Sequence, residues 1–164
     1  MPTYQREVRI RASLADVWDF HSTADGLRAL TPSWMNLQIE SIQGPDGDPD
    51  PRVLSAGSVI DASVRPFGLG SPQEWRSEIT ERERTDGSAY FVDEMIGGPF
   101  EYWRHTHRFF ADEGTTICQD HVEYRLPLGS VGAAVAPLAR IGLDPMFRYR
   151  HRRTRELLEG PKRP

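Results

Sequence analysis

Residues 97–109 read Gly97-Gly-Pro-Phe-Glu-Tyr-Trp-Arg-His-Thr-His-Arg-Phe109, and this stretch decides the fold. Its Gly-Gly-Pro start is typical of a tight turn, and the residues that follow alternate in character. Because successive side chains of a strand point to opposite faces, we expect Trp103, His105, His107 and Phe109 to share one face. Two imidazoles between two large aromatic groups indicate either a satisfied polar cluster in the core or a binding site.

The composition is that of one globular domain. The chain has 164 residues, of which 38% are hydrophobic and 27% charged, so we expect a single domain spanning residues 1–164. The net charge of -4 argues against nucleic acid as a partner. The sequence does not predict the oligomeric state.

The cysteine content and the hydropathy of the chain indicate its cellular compartment. Cys118 is the only cysteine, which excludes an intramolecular disulfide and a thiolate zinc site and favours a reducing environment. The N-terminus carries no apolar targeting segment, and no apolar run reaches the ~18 residues of a transmembrane span. We therefore expect a cytoplasmic protein without a transmembrane segment.

The order of predicted elements defines an α+β fold. The segments predicted as strands are residues 4–11, 36–42, 58–65, 73–83, 88–95, 100–111 and 115–126. Two short helices, one capped by Ser13 and one over residues 25–30, follow the first strand. A long helix should begin at Asp144-Pro145, after an alanine-rich connector at residues 128–137, and end at Gly160. The short turns between strands predict antiparallel pairing.

Several local motifs resemble those of one superfamily. They are Trp18-Asp-Phe20, Leu30-Thr-Pro-Ser-Trp34, residues 97–109, Asp120-His-Val-Glu-Tyr124 and Met146-Phe-Arg-Tyr-Arg-His151. With the element order, they make the chain similar to the START-like, birch-pollen-allergen-like superfamily called SRPBCC, in its polyketide cyclase/dehydrase-like branch. The resemblance covers nearly the whole chain. It implies a helix-grip fold, in which a curved antiparallel sheet of about seven strands wraps a long C-terminal helix and leaves a ligand cavity between them.

Residues of neighbouring elements should add to the cavity-lining face formed by residues 103–109. The predicted cavity wall comprises Trp34, Trp75, Phe91, Asp93, Met95, Trp103, His105, His107, Phe109, Asp120, Tyr124 and Phe147. A carboxylate beside a histidine holds the ring in one tautomer and moves its pKa, so the His and Asp residues of this wall could serve acid–base chemistry.

Two other interpretations of these polar residues are open. Cross-strand His–Asp pairs are an ordinary way to satisfy buried polar groups, which would make at least one histidine structural. Alternatively, His105 and His107 could bind one metal ion, with Asp93 or Asp120 completing the set. Because the sequence fixes no third ligand, we expect neither a metal nor another cofactor. We place His151, among arginines on the last helix, in solvent.

Three functions remain as hypotheses. The first is binding of a hydrophobic or amphipathic small molecule, such as a lipid, polyketide or quinone, in the cavity. The second is a polyketide cyclase or dehydratase that uses His105 or His107 as base with Asp93 or Asp120 as its partner. The third is a protein-interaction module whose last helix presents an arginine-rich face; its arginines are Arg148, Arg150, Arg152, Arg153 and Arg155.

Overall fold

The computed structural model describes residues 1–160, and for residues 130–139 it describes the backbone alone. The strands are β1 (Thr3–Ile10), β2 (Gln38–Gln43), β3 (Val59–Val64), β4 (Gln73–Arg84), β5 (Ser88–Gly97), β6 (Tyr102–Asp112) and β7 (Thr115–Arg125). The helices are α1 (Leu14–His21), α2 (Ala24–Ala29) and α3 (Gly129–Leu158). Two short 3-10 turns lie at Ser33–Met35 and Pro66–Gly68.

All seven strands form one antiparallel sheet in the order β1-β7-β6-β5-β4-β3-β2. Each predicted strand is present, with ends within two residues of the expected positions. The register shifts once between Ile39 and Ser41 and once between Ile79 and Glu81. Such irregularities bend a sheet. The sheet is therefore curved, and its concave face, the one that carries His105 and His107, is packed by the helices.

Side-chain hydroxyl groups cap the N-termini of the two short helices. The Ser13 side chain accepts a hydrogen bond from the backbone N–H of Asp16 at 3.1 Å, and Thr23 accepts one from Gly26 at 3.0 Å. A Cβ atom at Gly26 would lie 2.1 Å from the carbonyl oxygen of Phe20, so only glycine fits where α2 turns against the end of α1.

The start of the last helix corrects the sequence prediction. The backbone is helical from Gly129, so Pro145 lies inside α3 rather than in its first turn. Asp144 does not cap a helix, because its carboxylate accepts hydrogen bonds from the side chains of Tyr4, Arg6 and Arg148 at 2.9, 2.9 and 2.5 Å. The bonds from Tyr4 and Arg6 tie α3 to β1.

The described interior consists of two apolar clusters. The first lies between α1 and the sheet and contains Trp18, Ile79, Phe91, Phe109 and Cys118 among its buried members. The second lies beneath α3 and contains Tyr4, Trp103, Val122, Tyr124, Leu143 and Phe147. Polar side chains of the middle strands lie between the two clusters. No helix within the described part of the chain combines the length and apolar character needed to cross a membrane.

Candidate functional site

The strand register brings the predicted histidines and aspartates together. His105 on β6 lies opposite Asp93 on β5, and His107 lies opposite Asp120 on β7. Because directly opposed residues of antiparallel strands share a face, all four side chains meet on the concave side of the sheet. The sequence prediction that they form one group is consistent with this register.

The hydrogen bonds of this group run diagonally rather than straight across the sheet. His105 Nε2 lies 2.7 Å from Asp120 Oδ1, and His107 Nε2 lies 2.8 Å from Asp93 Oδ2. The second nitrogens are also near carboxylates, with His107 Nδ1 at 3.3 Å from Asp120 and His105 Nδ1 at 3.6 Å from Asp93. Each imidazole therefore lies between two carboxylates, and the two ring centres are 3.6 Å apart.

His151 joins the group from α3, which corrects its predicted position in solvent. Its side chain is buried, and its Nε2 lies 2.5 Å from Asp120 Oδ2. The helical repeat explains this position, because Phe147 and Thr154, four residues before and three after, are buried on the same side of α3. We call Asp93, His105, His107, Asp120 and His151 the His–Asp network.

A small cavity adjoins the network. Its volume is about 10 Å³, and His21, His107, Asp120, Arg150 and His151 contribute to its wall. Roughly 10–15 Å³ suffices for one water molecule. His151 Nδ1 is buried and has no hydrogen-bond partner among the described residues. The cavity is large enough for one water molecule but not for a larger molecule.

Burial and hydrogen bonding together set the protonation of the network. Burial disfavours the charge of Asp120, yet hydrogen bonds from His105, His107 and His151 outweigh it and hold the pKa of Asp120 well below its usual range. Burial likewise opposes ionisation of Asp93, and the bond from His107 still lowers the pKa of Asp93. Both carboxyl groups are therefore ionised near neutral pH.

The two central histidines respond in opposite directions. Burial, and then the neighbouring His107, lower the pKa of His105. Burial also acts on His107, but its bonds to Asp120 and Asp93 dominate and raise the pKa of His107. On α1, burial lowers the pKa of His21 to about 3, so that ring stays neutral beside Phe109. Of His21, His105 and His107, His107 is thus the ring that most readily carries a proton.

Aromatic side chains enclose the network along the sheet. Phe91 stacks on His107 with ring centres 4.0 Å apart, on the side where Phe109 packs beneath α1. Trp103 and Phe147 approach His105 edge-on, at 6.1 and 5.2 Å. Tyr124 belongs to the cluster of Trp103 and Phe147, and Met95 is a partly buried neighbour of that cluster.

The two remaining aromatic residues of the predicted cavity wall, Trp75 and Trp34, differ in their contacts. Trp75 on β4 is partly buried and packs against the cluster beneath α1. Trp34 lies in the 3-10 turn before β2, is 39% exposed and stacks on Phe67 at 4.9 Å. Trp75 therefore remains a candidate for the wall, whereas Trp34 forms part of a surface loop.

The concave face is more accessible over β4 and β5 than over β7. The helix α3 packs mainly against β1 and β7. The side chain of Asp93 is 19% exposed, against 9% for Asp120, and its neighbours Ser77 and Met95 are partly buried. Asp93 is consequently the member of the network that a molecule from outside can reach most easily.

Three of the five arginines on the predicted basic face of α3 pair with acids of the same helix. Arg148 bonds to Asp144 at 2.5 Å, and Arg152 and Arg153 lie 3.7 and 2.6 Å from Glu156. This mixed charge pattern weakens the hypothesis that the helix presents a uniformly basic face to an acidic partner.

A seven-stranded antiparallel sheet gripping a C-terminal helix defines the helix-grip fold of the SRPBCC superfamily, as the sequence predicted. The chain belongs to the polyketide cyclase / dehydrase and lipid transport family, whose model matches residues 10–146. This description joins two activities that concern hydrophobic molecules. No curated protein matches the chain.

Solved structures share the fold at low sequence identity. A point mutant of norcoclaurine synthase from Thalictrum flavum, in complex with a transition-state analogue, superposes with a TM-score of 0.66 at 18% identity and covers 96% of this chain and 93% of its own. A protein of Chromobacterium violaceum also superposes with a TM-score of 0.66, at 13% identity, and covers 98% of this chain and 100% of its own. Ara h 8.0201 superposes with a TM-score of 0.57 at 14% identity and covers 93% of this chain and 97% of its own.

Proposed function

We propose that the protein binds an amphipathic small molecule on the concave face of the sheet, over β4 and β5. The observation that carries this proposal is the position of Asp93. It is the most accessible carboxylate of an otherwise buried charged network, and it lies beside partly buried apolar side chains. A mainly apolar surface with a few fixed polar groups is the usual anatomy of a small-molecule site.

The chemistry of Asp93 indicates which end of the ligand it meets. An ionised carboxylate only accepts hydrogen bonds, so the ligand should offer a donor such as a phenol, an alcohol or an amine. The apolar part of the ligand would contact Trp75, Met95 and Trp103. A norcoclaurine synthase of the same fold was solved in complex with dopamine and hydroxybenzaldehyde. That complex supports the proposal that this fold can accommodate small aromatic molecules.

A pair of probes tests the role of Asp93. We expect metal-free protein, dialysed against EDTA, to bind 2-naphthol more tightly than 2-methoxynaphthalene, which has the same rings but no donor. Hydrogen bonds to charged groups contribute roughly 1.5–3 kcal/mol, so the ratio of the two dissociation constants should be about 10 or more. Asp93→Ala should bring the ratio close to 1. The measurement is a titration followed by tryptophan fluorescence.

The control for this titration is Glu94→Ala. Glu94 is adjacent in sequence but points to the opposite face, where it pairs with Arg104 at 2.9 Å. It should leave the ratio unchanged. Equal binding of the two probes by the unaltered protein, or an unchanged ratio in Asp93→Ala, would contradict the proposal. Because a ratio is compared, a general loss of binding in one variant does not imitate the predicted result.

The opposite pKa directions of His105 and His107 favour a second candidate, acid–base catalysis of a cyclisation or dehydration. Neighbouring groups whose pKa values are driven apart can supply one base and one acid. His105, the neutral member, would be the base, and His107 would hold the proton. Catalysis predicts that His105→Ala loses turnover of a polyketide-like substrate while it still binds that substrate. Unchanged turnover would remove this candidate.

A further inference from the structure

The geometry points to a binding site for a divalent transition-metal ion formed by Asp93, His105 and His107. One nitrogen of each imidazole and one carboxylate oxygen of Asp93 lie within 4.8 Å of one another. His107 Nε2 is 2.8 Å and His105 Nδ1 is 3.6 Å from Asp93 Oδ2. The sequence could not identify a third ligand for the two histidines, and the pairing of β5 with β6 supplies it.

The other nitrogen of each ring is held in the way that metal-binding histidines require. His105 Nε2 and His107 Nδ1 both lie near Oδ1 of Asp120, at 2.7 and 3.3 Å. A carboxylate that accepts the N–H of one ring nitrogen leaves the opposite nitrogen with its lone pair free for a metal. Asp120 therefore directs both lone pairs toward Asp93.

Asp120 is itself fixed from the helix. His151 contacts its second oxygen at 2.5 Å, so the carboxylate cannot rotate away from the two imidazoles without losing this bond. The ligand atoms come from β5 and β6, and the groups that orient them come from β7 and α3. A site supported by rigid elements in this way is pre-organised for its ion.

Charge balance favours a cation at this place. The His–Asp network holds two carboxylates in a largely buried region. A divalent ion bound by Asp93, His105 and His107 would offset this buried negative charge.

The ligand types select the class of metal. Two imidazoles and one carboxylate suit Zn²⁺, Co²⁺, Ni²⁺ or Fe²⁺ better than Mg²⁺ or Ca²⁺, which prefer sets of oxygen ligands. The partial exposure of Asp93 gives an entry path and leaves the outer coordination positions to water or to a small molecule. The metal site is independent of the binding of an amphipathic molecule. The naphthol titration that tests that binding is carried out on metal-free protein, so the two experiments can fail separately.

Cobalt is the probe that tests this site. We expect EDTA-treated full-length protein near neutral pH to bind one Co²⁺ per chain, with visible d–d absorption that Zn²⁺ abolishes by competition. His107→Ala should abolish the absorption. His105→Gln should do so as well, although its amide can still donate to Asp120. His121→Ala is the matched control, because His121 is a partly exposed histidine whose near neighbour is Glu123 on the same strand.

The decisive comparison is between these variants, each checked for folding by circular dichroism. The folded unaltered protein showing no stoichiometric Co²⁺ signal would overturn the proposal. So would a signal that persists in folded His105→Gln or disappears in His121→Ala, since the ion would then be bound elsewhere. If His107→Ala does not fold, His105→Gln alone decides.

Discussion

Replacing Asp120 by alanine is expected to lower the free energy of unfolding by about 3–5 kcal/mol, the usual cost of removing one partner from a buried charge network. Asp120 is buried and bonds to His105 and His151 at 2.7 and 2.5 Å. Without it, these rings lose the acceptor that satisfies their buried N–H groups. Urea unfolding near neutral pH, followed by circular dichroism, measures the change.

Asp112→Ala provides the control for this measurement. Asp112 lies on β6, is 41% exposed and pairs with Arg9 at the surface, so its loss should cost less than about 1 kcal/mol. The effect of Asp120→Ala should also shrink in acid. The folded protein holds the pKa of Asp120 below 3.8, so its contribution is present above that value and is lost as the pH falls through the folded-state pKa. If both variants lost the same free energy of unfolding, the result would contradict the role of Asp120 in a buried His–Asp network.

Phe147→Ala is expected to cost about 3–5 kcal/mol, as large-to-small replacements of buried aromatic residues generally do. The side chain is 1% exposed, stacks on Tyr4 at 5.1 Å and meets the edge of His105 at 5.2 Å. Its removal would open a cavity between α3 and the sheet and loosen the packing that positions His105. The same urea unfolding experiment measures this loss.

Leu157→Ala is the matched control on the same helix. Leu157 is 43% exposed, so its replacement should change the free energy of unfolding by roughly 0.5 kcal/mol or less. A loss below about 1 kcal/mol for Phe147→Ala would mean that α3 does not pack on the sheet as described, because a buried phenylalanine cannot be removed so cheaply from a packed core.

The strands were predictable because alternation is a local property of the sequence. In β7 the residues Thr116, Cys118, Asp120, Val122 and Tyr124 are all buried, and those between them are not. Two-residue periodicity of this kind follows directly from strand geometry. The order of elements then left few arrangements of the sheet open.

The partners within the His–Asp network were less accessible to sequence reasoning. His105 lies opposite Asp93 but makes its shorter contact with Asp120, and His107 lies opposite Asp120 but makes its shorter contact with Asp93. Which carboxylate each ring meets depends on side-chain rotamers and on the register across two turns. Composition and spacing define neither quantity, so the sequence indicated Asp93, His105, His107 and Asp120 as one group but not the bonds between them.

His151 and the start of α3 were predicted wrongly for related reasons. Arginines surround His151 in sequence, and the phase of the helix, rather than its immediate neighbours, turns it inward with Phe147. The Asp144-Pro145 pair resembles a helix start. The structure instead uses Asp144 to bind Tyr4 and Arg6 on β1, a contact that spans most of the chain and leaves no local signal.

The indole N–H signals of the four tryptophans test the proposed binding site most directly. Trp75 and Trp103 lie on the concave face, Trp18 is a buried residue of α1, and Trp34 is on a surface loop. In a ¹H–¹⁵N NMR titration of metal-free protein with 2-naphthol, we expect the signals of Trp75 and Trp103 to shift and saturate together, while that of Trp18 stays in place. Shifts confined to Trp34 or Trp18, or no saturable shift, would contradict ligand binding on the concave face.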